Sequence, residues 1–350
     1  MSTPQTPAAP PTPGHALKHL ATHLITPLLM CLGMALAYQG AFHQPEPRHL
    51  AVAVVGTDAQ AQGLARAVRA EAGDALDVRT LPDRAAAEQQ LRDRTLVGAF
   101  VPDAHRPELV VAKGNSETSV VAATAVFSTV TDRQGVPLHV TDLTTPAEGD
   151  PTGQGLFFLL VTLSIGSYAS VAAIGAAGAG LNLRTRALAG LAVSLVVSVI
   201  GIVTAGPVFH VVDHDRAAVW ALGWLYSAGV VTIGVGLHTF LKKWTTLALM
   251  VLFVMLNFTT SGGIYRPELQ NAFFGALHGF WTGAGFLEGA RDILYFDGGA
   301  GFGGHVLTLA VWLVLGGAVL AAAGWSERRG RRPVGTAAES EEELAEAVAV

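Results

Sequence analysis

Three ionisable residues sit close together near the end of an otherwise uncharged stretch: Glu288, Arg291 and Asp292. Glu288 and Arg291 are spaced i, i+3, so on a helix they share a face and can pair. Ionisable groups at membrane depth are costly and are retained for function, whereas at an interface they would be solvated. Two histidine groups invite a metal reading. His15, His19 and His23 recur every four residues, one stripe on a helix. His210, Asp213, His214 and Asp215 cluster within six residues. Imidazole and carboxylate suit a divalent ion, but an interfacial helix start and a solvated loop are the simpler expectations, and no metal site is assigned. No Gly-Lys pair occurs anywhere, so the phosphate loop G-x-x-x-x-G-K-[ST] is absent from the sequence. The glycine run Gly298 to Gly304 reads as a flexible loop rather than a nucleotide cradle. No catalytic residue and no cofactor is expected, and the chain is not expected to be an enzyme.

The elements that must carry these residues are mostly apolar. Of 350 residues, 51% are hydrophobic and only 14% charged, with a mean hydropathy of +0.43. Soluble domains carry roughly 25% charged residues, so much of the chain is expected outside water. The formal net charge of -5 averages unlike regions. The one cysteine, Cys31, lies in an apolar run and reads as a small hydrophobe.

A membrane helix needs about 20 mostly apolar residues. Spans are expected at Leu20 to Phe42, near Leu156 to Leu181, at Ala187 to about Phe209, about Ala217 to Leu241, Trp244 to about Ser261, and His305 to Trp325. The first follows a Pro-rich tail without a basic residue and precedes no small-x-small site, so it reads as an uncleaved anchor. Under this six-span arrangement, nine basic residues fall on one side: Lys18, Arg184, Arg186, Lys242, Lys243, Arg328, Arg329, Arg331 and Arg332. Only three, Arg216, Arg266 and Arg291, fall in short loops on the other. The positive-inside rule then puts both termini in the cytoplasm. Leu269 to Leu287 is uncharged but broken by Asn271, His278 and four glycines. A re-entrant or interfacial hairpin near 264–295 is expected there, because a seventh crossing would expel the Arg-rich tail.

Residues 43–152 read differently. Strands are expected at Leu50 to Val55, Asp77 to Leu81, Thr95 to Val101, Glu108 to Ala112 and Val136 to Asp142, with helices at Ala59 to Ala72, Asp83 to Arg94 and Ser116 to Thr131. Alternating strands and helices argue for a small α/β domain. Its ten basic and fifteen acidic residues make it mildly acidic, no binder of nucleic acid. The expected division is therefore 1–19 as a cytoplasmic tail, 20–42 as the first span, 43–152 as the external domain, 153–325 as a five-helix membrane domain and 326–350 as a cytoplasmic tail whose Glu339 to Glu346 stretch is acidic.

This layout is similar to the permeases of ABC-2-type exporters, in their YhgE/Pip-like branch. The resemblance spans Leu20 to about Trp325. It rests on one helix, a large external domain and five further helices, on the phrase LVGAFVPDAHRPEL from Leu96 to Leu109, and above all on Ser261 to Tyr295, where SGGIYRPEL precedes EGARDILYF. The resemblance implies a half-transporter in the cell membrane that forms a homodimer or heterodimer, moves a lipid-like or amphiphilic substrate outward, and is driven by a separate cytoplasmic ATPase. It places Gly262, Gly263, Pro267, Glu268, Glu288 and Arg291 in the hairpin or along the translocation path, and Arg184 and Arg186 at an ATPase contact. The loop carrying those two arginines is shorter than the family's usual docking loop. A non-transporting scaffold or receptor whose external domain binds a partner at the cell envelope is the alternative.

Overall fold

The computed structural model describes residues 13–178, 180–299 and 301–330. The acidic stretch Glu339 to Glu346 lies outside the described residues, as do the side chains of His15, His19 and His23.

Five helical segments are long and apolar enough to cross a membrane: Leu20–Phe42, Gly155–Ala177, Leu183–Val208, Arg216–Thr260 and Phe302–Arg329. The first belongs to α1 (Pro13–Phe42). Helices α5 (Gly155–Ala177) and α6 (Leu183–Val203) follow the soluble domain, and α6 ends in a π-helical turn at Thr204–Val208 that contains Pro207. The 45-residue segment comprises α7 (Arg216–Leu241), a tight turn at Lys242–Trp244, α8 (Thr245–Met250), a π-helical stretch Val251–Leu256 and α9 (Asn257–Thr260). Lys242 takes a left-handed φ of 48°, which breaks the helix there. The last long helix is α12 (Phe302–Gly330). Several expected boundaries move: α12 starts at Phe302 rather than His305, β3 (Gly98–Val101) at Gly98 rather than Thr95, and β5 (His139–Asp142) at His139 rather than Val136. The second expected span stops at Ala177, not Leu181, and α6 starts at Leu183 rather than Ala187, because the Asn182 side chain accepts from Thr185 N at 2.9 Å and caps the helix. Arg184 and Arg186 therefore lie in the first turn of α6, not in a loop.

Helix α7 is the hub, buried on all sides from Tyr226 to Gly236. Its approach to α12 is set by glycine: a Cβ on Gly236 would lie 3.0 Å from Leu320 N, and one on Gly316 would lie 3.1 Å from Ile233 N. Small residues at such crossings let helix backbones pack closely in lipid. The outward faces of α1, α6 and α12 expose Leu28, Leu36, Leu188, Val196, Leu307 and Val314. In water such a surface would be an aggregation hazard; facing acyl chains it costs nothing.

Between α1 and α5 stands the α/β domain. Its elements are β1 (Leu50–Val55), α2 (Ala59–Ala72), β2 (Leu76–Leu81), α3 (Arg84–Arg92), β3 (Gly98–Val101), β4 (Glu108–Val111), α4 (Glu117–Asp132) and β5 (His139–Asp142). The sheet order is β2-β1-β3-β4-β5, parallel except for β3 against β4. Side chains alternate across a strand, and the sheet's two faces divide accordingly. Leu50, Val52 and Val54 face α2 and α4, where Phe100 stacks on Phe127 with centroids 5.0 Å apart. Ala53, Ala99 and Val110 face α3. Asp58, Asp83 and Ser116 cap the three helices by accepting a hydrogen bond from the backbone three residues on.

Before α12 the chain folds into α10 (Ala272–His278) and α11 (Thr282–Tyr295). At 14 residues, α11 is about 21 Å long, short of the roughly 30 Å hydrocarbon core. It is nonetheless buried from Thr282 to Asp292, against α5, α7, α9 and α12. Phe296, just past its end, completes the α3-side core of the soluble domain.

Candidate functional site

The junction between α11 and the α/β domain is made of charge. Glu288 and Asp292 lie one turn apart on α11 and are 2% and 1% exposed. Arg291 lies between them on the same helix, and its Nη1 donates to Glu288 Oε1 at 2.9 Å and to the carbonyl of Gly262 at 3.1 Å. The spacing that invites the pair in sequence thus forms it in the fold.

Arg266 enters from the strap before α10. It is extended (φ −73°, ψ 166°), as a residue preceding proline prefers, and Pro267 starts a single 3₁₀ turn. Its Nη1 donates to Glu288 Oε2 at 2.7 Å and its Nε to Glu268 Oε1 at 3.3 Å. Glu268 in turn accepts from the Ser119 hydroxyl of the α/β domain at 3.1 Å, and its carbonyl accepts from Arg48 N at 2.7 Å. Thr118 donates to the Ile264 carbonyl at 3.0 Å.

The third guanidinium comes from the soluble domain itself. Arg94, in the turn between α3 and β3, has a left-handed φ of 59°. It donates to Asp292 Oδ1 at 2.5 Å, to the Glu288 carbonyl at 3.2 Å and to the Glu288 carboxylate. Its Nε is held by Asn115 Oδ1 at 2.9 Å, and it lies over the Phe296 ring. Arg94, Arg266 and Arg291 therefore face Glu268, Glu288 and Asp292: three positive groups and three negative ones.

This balance decides the protonation states. Burial pushes Glu288 toward the neutral acid, but Arg266, Arg94 and Arg291 outweigh it and hold the carboxyl well below its usual range. Burial also works against the charge on Arg266, yet Glu288 and Glu268 together raise it; Arg291 is lowered, first by its burial and then by Arg266 and Arg94, which together outweigh Glu288. His278 Nδ1 donates to the Thr260 carbonyl (2.8 Å) and the ring sits 3.9 Å from Glu288; its burial lowers it below the usual 6.5. At the far edge His305 Nε2 is 3.5 Å from Asp292 Oδ2, an oxygen without a hydrogen-bond partner among the described residues.

Gly262 and Gly263 make the cluster possible. Gly262 has φ +78°, and a Cβ there would lie 2.9 Å from both Glu288 Oε1 and His278 Cε1; on Gly263 it would run into the Phe157 ring. Of the sequence-derived candidates, Gly262, Gly263, Pro267, Glu268, Glu288 and Arg291 thus converge. Arg184 and Arg186 do not: they lie at the far end of the bundle, where Arg186 is 8% exposed and bonds Glu327 at 2.5 Å, while Arg184 is exposed. His214 is committed to Asp213 and to the Leu294 carbonyl. Sequence reasoning missed Arg94, which reads as the last residue of a helix and whose partners lie 194 and 198 residues away.

The cluster is charge-balanced, three against three, with Asp292 Oδ2 left without a hydrogen-bond partner among the described residues. What it can do is fix the position of one body on another: any displacement of the α/β domain must drag α11 or break buried ion pairs. A second polar group lies in the bundle below. Asn257 donates to Tyr226 Oη at 3.0 Å, and Tyr226 Oη lies 2.6 Å from Ser164 Oγ, joining α9, α7 and α5. No family model, curated protein or solved structure matches this chain.

Proposed function

We propose that the chain is a permease subunit of an ABC-2-type exporter in the cell membrane, crossing it six times with both termini in the cytoplasm. The observation that carries the reading is the charge cluster: a domain inserted after the first span is clamped to a buried half-length hairpin before the last. Such a joint transmits movement of the outer domain to the helices that would line a path, and the reverse.

The six crossings rest on which loops meet. Phe42 packs on Tyr265, Gly149 N donates to the His210 carbonyl, and Asn271 donates to the Gly40 carbonyl, which groups the ends of α1, α6 and α9 with the soluble domain. At the opposite end Glu327 accepts from Arg186 and from Thr239 at 3.5 Å, next to the Lys242 turn. Both ends of Arg216–Thr260 thus lie toward the domain and its middle away from it, which supports reading this segment as two crossings. Arg184, Lys242, Lys243, Arg328 and Arg329 then gather on one side, in accord with the positive-inside rule.

A lipid-like or amphiphilic substrate fits a groove of about 570 Å³ between α5 and α6, bounded by Phe158, Leu159, Ile200 and Phe209 and edged by Thr204 and Asp150. Energy would come from a separate ATPase, and two copies of the chain would form the complete path. The ATPase contact would lie at Arg184, exposed in the first turn of α6, and at Arg186, which also bonds Glu327. The test is co-purification of the tagged chain from its native membrane in mild detergent. A stoichiometric P-loop ATPase, with hydrolysis that rises on co-reconstitution, supports the proposal. Its absence under conditions that preserve a known ABC complex overturns it in favour of a scaffold or receptor, for which the clamp would hold the outer domain as a rigid platform.

A further inference from the structure

A groove lies at the end of the bundle far from the α/β domain, flanked by α6 and α12. It measures about 380 Å³, and its walls are Leu183 and Ala187 on α6 and Leu320, Ala321 and Gly324 on α12. The small residues Ala187, Ala321 and Gly324 make the space; a Cβ on Gly324 would be in ordinary contact with Leu183, 3.5 Å away. Its rim is cationic. Arg184 and Arg328 line it and are exposed, and Arg329 stacks on Trp325, its guanidinium carbon 3.5 Å from the ring centroid. The nearby carboxylate, Glu327, is consumed by Arg186 at 2.5 Å. Among the described residues neither Arg184 nor Arg328 has an acidic partner.

We infer that this groove binds an anionic phospholipid, its acyl chain against Ala187, Ala321 and Gly324 and its headgroup phosphate between Arg184 and Arg328. The chemistry is complementary at both ends. The floor is apolar and lies beside the lipid-facing stripe of α6 and α12, where Leu188 and Val314 are exposed. The rim offers two guanidiniums, whose planar forks suit phosphate oxygens. Trp325, 58% exposed, sits at the boundary where indole rings favour the headgroup level. Basic pockets between membrane helices on the cytoplasmic side bind such headgroups. The inference depends on α6 and α12 being membrane helices, not on any ATPase.

The test is native mass spectrometry of the full chain released from mixed micelles with dioleoylphosphatidylglycerol and dioleoylphosphatidylcholine in equal amounts. The intact chain should retain one phosphatidylglycerol in preference to phosphatidylcholine. Arg184→Ala and Arg328→Ala should each weaken that retention about fivefold, the equivalent of about 1 kcal/mol per basic residue at an anionic surface. Ala321→Phe, which fills the groove and keeps both charges, should abolish retention of the bound lipid while the chain still unfolds at the wild-type temperature without lipid. Equal retention of both lipids by the intact chain, or an undiminished preference in the Arg184→Ala/Arg328→Ala chain, would overturn the inference.

Discussion

Replacing Arg94 by Met should cost more than any other single change on the surface of the α/β domain. The wild-type cluster sets three guanidiniums against three carboxylates. Arg94→Met leaves two against three, and strands Asp292, which is 1% exposed, with only His305 at 3.5 Å. Removing one partner of a buried ion pair costs about 3–5 kcal/mol, because the remaining charge keeps its desolvation penalty. Asp292→Asn leaves three against two, but Arg94 retains Glu288, so its cost should be smaller, about 1–3 kcal/mol. The double variant restores balance at two against two. The two changes should therefore be non-additive, the double being less destabilised than the sum by about 2–3 kcal/mol, the upper range for contacting residues. Unfolding of the purified chain in mixed micelles measures the energies, and hydrogen exchange at β3 and α11 shows whether the loss is local to the joint. Additivity within about 0.5 kcal/mol would refute the claim that Arg94 and Asp292 hold the domain to the hairpin.

Other consequences are as specific. His278 is lowered below its usual 6.5 by burial, so the unfolded chain binds more protons than the folded one between the folded value and 6.5; stability should fall as pH drops below about 6.5, and His278→Gln should flatten that slope in a pH series of melting temperatures. Glu288 is depressed, so its contribution is present above the usual 4.5 and is lost only in stronger acid; Glu288→Gln should shrink the acid limb, which other lowered carboxylates share. Tyr226→Phe removes the hydroxyl shared by Ser164 and Asn257 and should destabilise the bundle by about 1–3 kcal/mol, read by the same micelle titration. Gly149→Ala would drive a Cβ into the Phe209 and His210 carbonyls, which are backbone and cannot yield, whereas a Cβ on Gly63 meets nothing within 4 Å; the first should abolish folded yield in size-exclusion chromatography and the second should leave it intact or raised.

The soluble domain was legible because its signals are local. LAVAVV is a strand from Leu50 to Val55, marked by its short apolar run, and Ala59–Ala72 is a helix, marked by its helical spacing. The pairing of Glu288 with Arg291 was legible for the same reason, as a one-turn spacing. Helix ends were less so: without weighing Asn182 as a cap, the start of α6 falls four residues late and Arg186 looks like a loop cation rather than the buried partner of Glu327. The left-handed turn at Lys242 carries no Gly or Pro to announce it. Arg94 was beyond reach. Its partners are set by how a sheet domain docks on a helix far along the chain, and no periodicity encodes that. Tyr226 and Asn257, set in apolar stretches, were a signal that could have been used, because a buried amide away from water demands a partner.

The central claim is that the α/β domain and the hairpin share the outer side while the Lys242 turn lies in the cytoplasm. Cysteine accessibility in intact cells tests it most directly: with Cys31→Ser as background, single cysteines at Gly135, Gly298 and Lys242 are challenged with a membrane-impermeant maleimide. Gly135→Cys and Gly298→Cys should label in intact cells, and Lys242→Cys only after permeabilisation. Labelling of Lys242→Cys from outside, or protection of Gly298→Cys, would contradict it.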